Sequence, residues 1–143
     1  MATTGAPVIL YVDDDPDDLT LVQETLMAIQ PSITVKCYIS GSQALPFLDS
    51  IPVGAPLPGV VILDLNLPNQ NGIDILNLLK QNELYKNIPV YIFTNSDHPR
   101  HRQQALSAGA IDFITKPYDG KGLMEACTIF AGYANGPVIP KGY

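Results

Sequence analysis

Short apolar runs alternate along the chain with longer stretches whose apolar residues recur three and four positions apart. Pro7-Val8-Ile9-Leu10-Tyr11-Val12 is the first such run and stops at Asp13-Asp14-Asp15. A run of this kind bounded by polar residues reads as a strand buried on both faces. Asp15-Pro16 then opens a helix, an N-cap followed by proline at the first helical position. Asp17 and Asp18 suit its positive end, and Leu19, Val22, Leu26 and Ile29 share its buried face. Pro31 ends it. Ile33, Val35 and Cys37 alternate with Thr34, Lys36 and Tyr38, which predicts a second strand with one face less buried. Ser40-Gly41 opens a second helix carrying Ala44, Leu45 and Leu48. Pro46 inside it predicts a short or kinked element.

Asp49 to Gly59, with Pro52, Gly54, Pro56 and Pro58, is expected to be an extended surface connection. It leads into Val60-Val61-Ile62-Leu63, which runs straight into Asp64. Pro68 cannot continue a central strand, and Gly72 is expected to give the freedom a tight turn needs. Ile75, Leu76 and Leu79 mark a third helix. Pro89 introduces Val90-Tyr91-Ile92-Phe93, which ends at Thr94-Asn95-Ser96-Asp97. Ser96 or Asp97 is expected to cap a helix with Pro99 in its first turn, closed by Ala108-Gly109. Ile111 to Thr115 forms a short fifth strand ending at Lys116-Pro117. Asp119 caps the last helix, with Leu123, Ala126, Cys127 and Phe130 on its buried face. Gly120 and Gly122 weaken its first turn by roughly 1 kcal/mol each relative to alanine. Strand and helix alternating in this way predict an α/β fold, a doubly wound parallel sheet with right-handed crossovers. Residues 1–143 form one domain, with a core over about 7–134 and a tail over 135–143.

A length of 143 residues suits one hydrophobic core. With 46% apolar and 15% charged residues, the chain can fill that core and is not disordered. A net charge of −6 argues against nucleic acid as a partner, because phosphate contacts need clustered Lys and Arg. Cys37 and Cys127 lie far apart inside apolar patterns and are expected to be buried free thiols. Met1 to Ala6 lacks the basic and apolar segments of a signal peptide. No apolar run approaches the roughly 18 residues needed to span a bilayer, so a cytoplasmic location without membrane contact is expected.

Chemistry concentrates just past the strand ends: Asp13 and Asp14 after the first, Asp64 after the third, Thr94 after the fourth, Lys116 after the fifth. In a parallel sheet these positions lie on one edge, where open α/β sheets place their ligands. Asp64 alone is equally a helix cap or a nucleophile. The groups arriving beside it favour the second reading. Converging carboxylates repel unless a cation or protons neutralise them. Oxygen ligands without His or Cys suit Mg²⁺, which keeps several waters and accepts phosphate oxygens. An aspartate beside such an ion can attack a phosphoryl group and form an aspartyl phosphate, while an ammonium and a hydroxyl stabilise the equatorial oxygens.

These residues resemble the response-regulator receiver domains of two-component signalling along essentially the whole chain. The matching motifs are Val12-Asp13-Asp14-Asp15-Pro16, Leu63-Asp64-Leu65-Asn66-Leu67-Pro68 with Gly72, Phe93-Thr94 and Thr115-Lys116-Pro117. The resemblance implies a five-stranded flavodoxin-like sheet of order 2-1-3-4-5 flanked by five helices. It implies that Asp64 is the phosphoacceptor and that Asp14, Asp64 and the Asn66 backbone carbonyl hold Mg²⁺, with Asp13 acting through water. Lys116 would contact the phosphoryl group, Thr94 would hydrogen-bond on phosphorylation, and Phe113 would be the aromatic switch, turning inward. The Lys116–Pro117 bond would be cis, and Asn66, Asn95 and Ser96 would tune hydrolysis. Asn95 departs from the alanine or glycine of many receivers, which bears on access to the phosphoryl group. The implied partners are a sensor histidine kinase or histidine phosphotransfer protein and a downstream protein target, with a phosphorylation-dependent homodimer among the expectations. The proline-rich loop and Leu65-Asn66-Leu67-Pro68 are similar to stand-alone receivers paired with bacteriophytochrome-type kinases.

Two other classes fit less well. A phosphatase of the haloacid dehalogenase type needs a general acid two residues after its nucleophile, and Asn66 stands there. The receiver resemblance instead implies a protein that is not an enzyme on outside substrates and catalyses only its own phosphorylation and dephosphorylation. An adaptor that has lost phosphorylation would have a damaged pocket, and every expected group is present. His98 and His101 have a helical metal spacing, but Arg100 and Arg102 oppose a cation, so an exposed helix face is expected.

Overall fold

The computed structural model describes residues 6–142. Its parallel strands are β1 (Val8–Val12), β2 (Thr34–Tyr38), β3 (Val60–Leu63), β4 (Val90–Thr94) and β5 (Asp112–Thr115). They form one five-stranded sheet in the order β2-β1-β3-β4-β5. The helices between and after them are α1 (Pro16–Ile29), α2 (Gly41–Ser50), α3 (Gly72–Gln81), α4 (Pro99–Ser107) and α5 (Gly120–Ala134). The expected doubly wound fold and strand order are therefore present.

Strand alternation divides the core into two layers. Leu10, Val12, Val61, Leu63, Val90 and Ile92 pack with α2, α3 and α4. Ile9, Tyr11, Val60, Ile62, Tyr91 and Phe93 pack with α1 and α5. Every residue of β3 is fully buried, as its unbroken apolar run requires. Fully burying such a side chain stabilises by roughly 1.5–3 kcal/mol, which is why the central strand is the most firmly held part of the edge it delivers.

Helix starts follow the residues at their ends. Asp15 accepts from the Asp17 amide, and Pro16 opens α1. Asn71 and Asp74 form a reciprocal capping box on α3. Asp119 accepts from the Gly122 amide. At α4 the expectation is corrected: His98, not Ser96 or Asp97, is the N-cap, its Nδ1 accepting from the Arg100 amide at 3.1 Å. The imidazole does the work expected of a hydroxyl or carboxylate because Ser96 is already committed to His101, Oγ to Nδ1 at 2.7 Å.

Gly72 also acts differently from its expected role. The positive φ in that turn belongs to Asn69, at 62°. A Cβ on Gly72 would lie 2.2 Å from the Asp64 carbonyl oxygen. Glycine is needed there for close approach, so that α3 can start against the Asp64 backbone.

Residues 135–142 of the tail expected over 135–143 pack back on the domain (Tyr143 lies outside the described residues). The segment runs back along the proline-rich connection. The Leu57 amide donates to the Ile139 carbonyl at 2.8 Å, the Lys141 amide to Ala55 at 2.9 Å and the Gly54 amide to Lys141 at 2.8 Å. Lys141 is buried, and its ammonium donates to the carbonyls of Leu48 (3.1 Å), Asp49 (3.2 Å) and Ile51 (2.8 Å) at the end of α2. It also lies 5.5 Å from the Tyr85 ring centroid, while Tyr85 donates to Asp49 at 2.6 Å. Carbonyls at a helix C-terminus lack intrahelical partners and carry the negative end of the dipole. A single buried ammonium answers both. Lys141→Met keeps the length and removes the donor, so it is expected to destabilise the protein by about 1–3 kcal/mol in denaturant titration.

Candidate functional site

Asp13, Asp64 and Lys116 each sit one position beyond a strand and are pinned there by an extra rung of backbone ladder, while Thr94 is the last residue of β4. The Asp13 amide donates to Tyr38 at 3.0 Å, the Asp64 amide to Val12 at 2.9 Å, and the Lys116 amide to Thr94 at 2.7 Å. The sheet itself thus sets the geometry. Carboxylate oxygens of Asp13, Asp14 and Asp64 lie within 4.8 Å of one another. Asp13 and Asp64 are buried, and Asp14 is exposed at the mouth.

The centre of the cluster is the Lys116 ammonium. It lies 2.6 Å from Asp13 Oδ2, 2.7 Å from Asp18 Oδ2 and 3.0 Å from Asp64 Oδ2. Burial works against its charge, but hydrogen bonds to Asp13 and Asp18 and the charge of Asp64 outweigh burial and hold it above the usual lysine range. Asp13 has no free oxygen. Oδ2 also accepts from the Tyr11 hydroxyl at 2.5 Å, and Oδ1 accepts from the Asp15 amide at 3.0 Å. Burial raises the Asp13 pKa, against the lowering effects of Lys116, Tyr11 and the Asp15 amide. Burial, and then Asp13 itself, lift the Tyr11 pKa far above the ordinary tyrosine value, so its hydroxyl stays a donor.

Oxygen groups at this spacing, with one carboxylate facing solvent, fit a hard divalent cation such as Mg²⁺. The Asp14 carboxylate accepts from no protein donor among the described hydrogen bonds, whereas Asp64 accepts from Lys116 at 3.0 Å and from the Asn66 amide at 3.3 Å. Asp13, its oxygens already occupied by protein donors, suits a contact through water. Thr94 Oγ1 also marks this edge: it is fully buried and has no hydrogen-bond partner among the described residues. An unsatisfied buried hydroxyl is costly unless something arrives to accept from it.

The structure therefore brings Asp13, Asp14, Asp64, Thr94 and Lys116 together. Asn66 is exposed two residues on, its amide donating to Asp64 Oδ1 at 3.3 Å. Asn95 is exposed beside Thr94, whereas the Ser96 hydroxyl faces His101 in α4. Phe113 is not at the edge. It lies one rung down β5, opposite Ile92, already buried at 5% exposure in the cluster that holds Ala105 and Ala110. The ring therefore already lies inward in this structure. The expected cis Lys116–Pro117 bond is also corrected: no peptide bond among the described residues is cis. Trans is the cheaper X–Pro isomer, and from it Lys116 reaches all three acids. Tyr11 and Asp18 were not foreseen as site residues. Period-two alternation placed Tyr11 on the face of Asp13, which was a usable signal. Asp18 gave none beyond its helix-end charge.

Residues 9–128 match the family model of the response regulator receiver domain, and the chain belongs to that family. The two-component response regulator ORR5 of Oryza sativa subsp. japonica is 30% identical over 124 residues, covering 87% of this chain and 88% of the relative. A probable cyclic di-GMP phosphodiesterase of Vibrio cholerae is 31% identical over 109 residues, but the chain spans only 23% of its length. Among solved structures, the Mn²⁺-bound response regulator Rcp1 is 29% identical with a TM-score of 0.79, over 94% of this chain and 99% of that one. The phosphorylated cyanobacterial phytochrome response regulator RcpA shares the fold, at 24% identity and a TM-score of 0.80 over 92% and 97%. Receiver domains work in signalling with histidine kinases or phosphotransfer proteins, not as enzymes on outside substrates. No helix among the described residues is long and apolar enough to cross a membrane.

The charge cluster predicts a measurable cost. Because the folded Asp13 pKa lies above its unfolded value, its contribution to stability is greatest at low pH and declines as pH rises through the folded pKa. Asp13→Asn is expected to raise the melting temperature of metal-free protein at neutral pH by a few degrees, on the order of 1 kcal/mol. The gain should shrink on acidification in calorimetry across pH.

Proposed function

We propose that this receiver accepts a phosphoryl group on Asp64 from a histidine kinase or histidine phosphotransfer protein, in a Mg²⁺-dependent reaction, and signals through a changed interaction surface. The convergence of three carboxylates, the Lys116 ammonium and an unpartnered Thr94 hydroxyl at one sheet edge carries this reading. An Asp64 carboxylate oxygen attacks phosphorus, and the O–P bond forms as the P–N bond to the donor imidazole breaks. Lys116 neutralises charge on the phosphoryl oxygens. Asp14, Asp64 and the Asn66 carbonyl would hold the cation, whose charge would offset that of the incoming phosphate. Asn66 and Asn95, both exposed, are suited to tuning hydrolysis.

Phosphorylation adds roughly −1.5 to −2 charges and three acceptor oxygens. The Thr94 hydroxyl, with nothing to donate to, is drawn towards them. Thr94 pairs with Thr115 in the ladder, and Arg102 on α4 donates to the Phe113 carbonyl at 2.9 Å and pairs with Asp112 at 3.0 Å. A shift of β4 is thereby conveyed to β5 and α4. With Phe113 already buried, the change in this face runs through backbone and Arg102 rather than through an inward turn of the ring.

Acetyl phosphate with Mg²⁺ is expected to add one phosphoryl mass to wild type and none to Asp64→Asn, by intact-mass measurement. Equal phosphorylation of both excludes Asp64. Saturating Mg²⁺ should raise the melting temperature of wild type, since it binds only the folded site, and Asp14→Ala should lose most of that rise. Thr94→Ala is expected to accept phosphate yet show little of the wild-type amide-shift change over α4, β5 and α5 in NMR with beryllofluoride. A full response in Thr94→Ala contradicts the coupling.

A further inference from the structure

An ammonium has three protons to donate, and in the resting structure Lys116 gives them to Asp13, Asp18 and Asp64. A phosphoryl oxygen can gain a hydrogen bond from Lys116 only by displacing one of these acceptors. Once Asp64 is phosphorylated, the hydrogen bond it accepts from Lys116 passes to the phosphoryl group it carries. Any further bond from Lys116 must come at the expense of Asp13 or Asp18. Asp13 is fully buried, and the oxygen that Lys116 uses is also held by Tyr11. Asp18 alone has water in reach, with 28% of its side chain exposed, so its carboxylate is the one that solvent can take over.

We propose that Asp18 is a positioning residue for Lys116, a latch that holds one ammonium proton in the resting protein and yields it when Asp64 is phosphorylated. The latch spans two elements: Asp18 lies in the first turn of α1, and Lys116 begins the β5–α5 connection. Both line a cavity of about 230 Å³ with Leu21, Phe93, Pro117 and Leu123. Its release unties α1 from that connection, so the first turn of α1 responds to phosphorylation separately from the α4–β5 face. The inference rests on Asp64 being the phosphoacceptor.

Asp18→Ala, Asp18→Asn, Asp18→Glu and Asp17→Asn test it. Asp17 shares the helix end, is exposed and does not touch Lys116, so its variant reports what loss of helix-end charge alone does. In metal-free NMR spectra, the amides of residues 17–19 and 118–120 in Asp18→Ala should already be displaced towards the positions wild type reaches with Mg²⁺ and beryllofluoride. Asp17→Asn should stay at the resting positions. At limiting acetyl phosphate, Asp18→Ala and Asp18→Asn should be phosphorylated about threefold to tenfold faster than wild type, because one charge-assisted competitor for Lys116 is gone. Asp18→Glu, which keeps the carboxylate, should return towards the wild-type rate. Asp18→Ala matching Asp17→Asn in both readouts, or reacting more slowly than wild type, overturns the latch while leaving Asp64 as acceptor. No phosphorylation of wild type overturns both.

Discussion

Everything at the functional edge depends on one buried ammonium among several carboxylates. Lys116 is held by Asp13, Asp18 and Asp64 at 2.6–3.0 Å, and no second cationic side chain joins it among the described contacts. Such a cluster is not a source of stability, because desolvating several like charges costs more than one pairing returns. It persists because the apolar sheet beneath is stable enough to carry it. The backbone rungs past β1, β3 and β5 fix where the charges must sit. That imbalance of charge is what makes the site respond to ligands. On the proposed function, a cation would relieve it and a phosphoryl group would rearrange it.

The same logic of one lysine answering several oxygens recurs at the other end of the molecule. Lys141 closes the carbonyls at the end of α2 and anchors residues 137–142 against the proline-rich connection. The two lysines differ in what surrounds them. Lys141 faces neutral carbonyls and an aromatic ring, so nothing there changes with phosphorylation. Lys116 faces ionisable groups, one of them open to water, and its partners can be exchanged.

Much of this was legible in the chain. Alternation of apolar runs with helical spacing revealed the parallel sheet, because strands buried on both faces leave no polar positions to confuse them. The carboxylates, Thr94 and Lys116 were legible because each follows a strand end, and parallel strands bring their ends to one edge. Contacts far apart in sequence were not legible. Nothing local ties Lys141 to α2, nor Asp18 to Lys116, 98 residues away. Local rules also chose wrongly where two groups competed. Ser96 was a reasonable cap for α4 until His101 claimed its hydroxyl, and Gly72 looked like a turn residue when its missing side chain was the point.

The central claim is that Lys116 changes partners when Asp64 carries a phosphoryl group. A crystal structure of the protein with Mg²⁺ and beryllofluoride tests it most directly. The account predicts fluoroberyllate on Asp64, with Thr94 Oγ1 and Lys116 Nζ within hydrogen-bond distance of its fluorines. The 2.7 Å contact between Lys116 and Asp18 should be broken. Fluoroberyllate elsewhere, or bound to Asp64 with Lys116 still seated on Asp18 and Thr94 still without a partner, would contradict it.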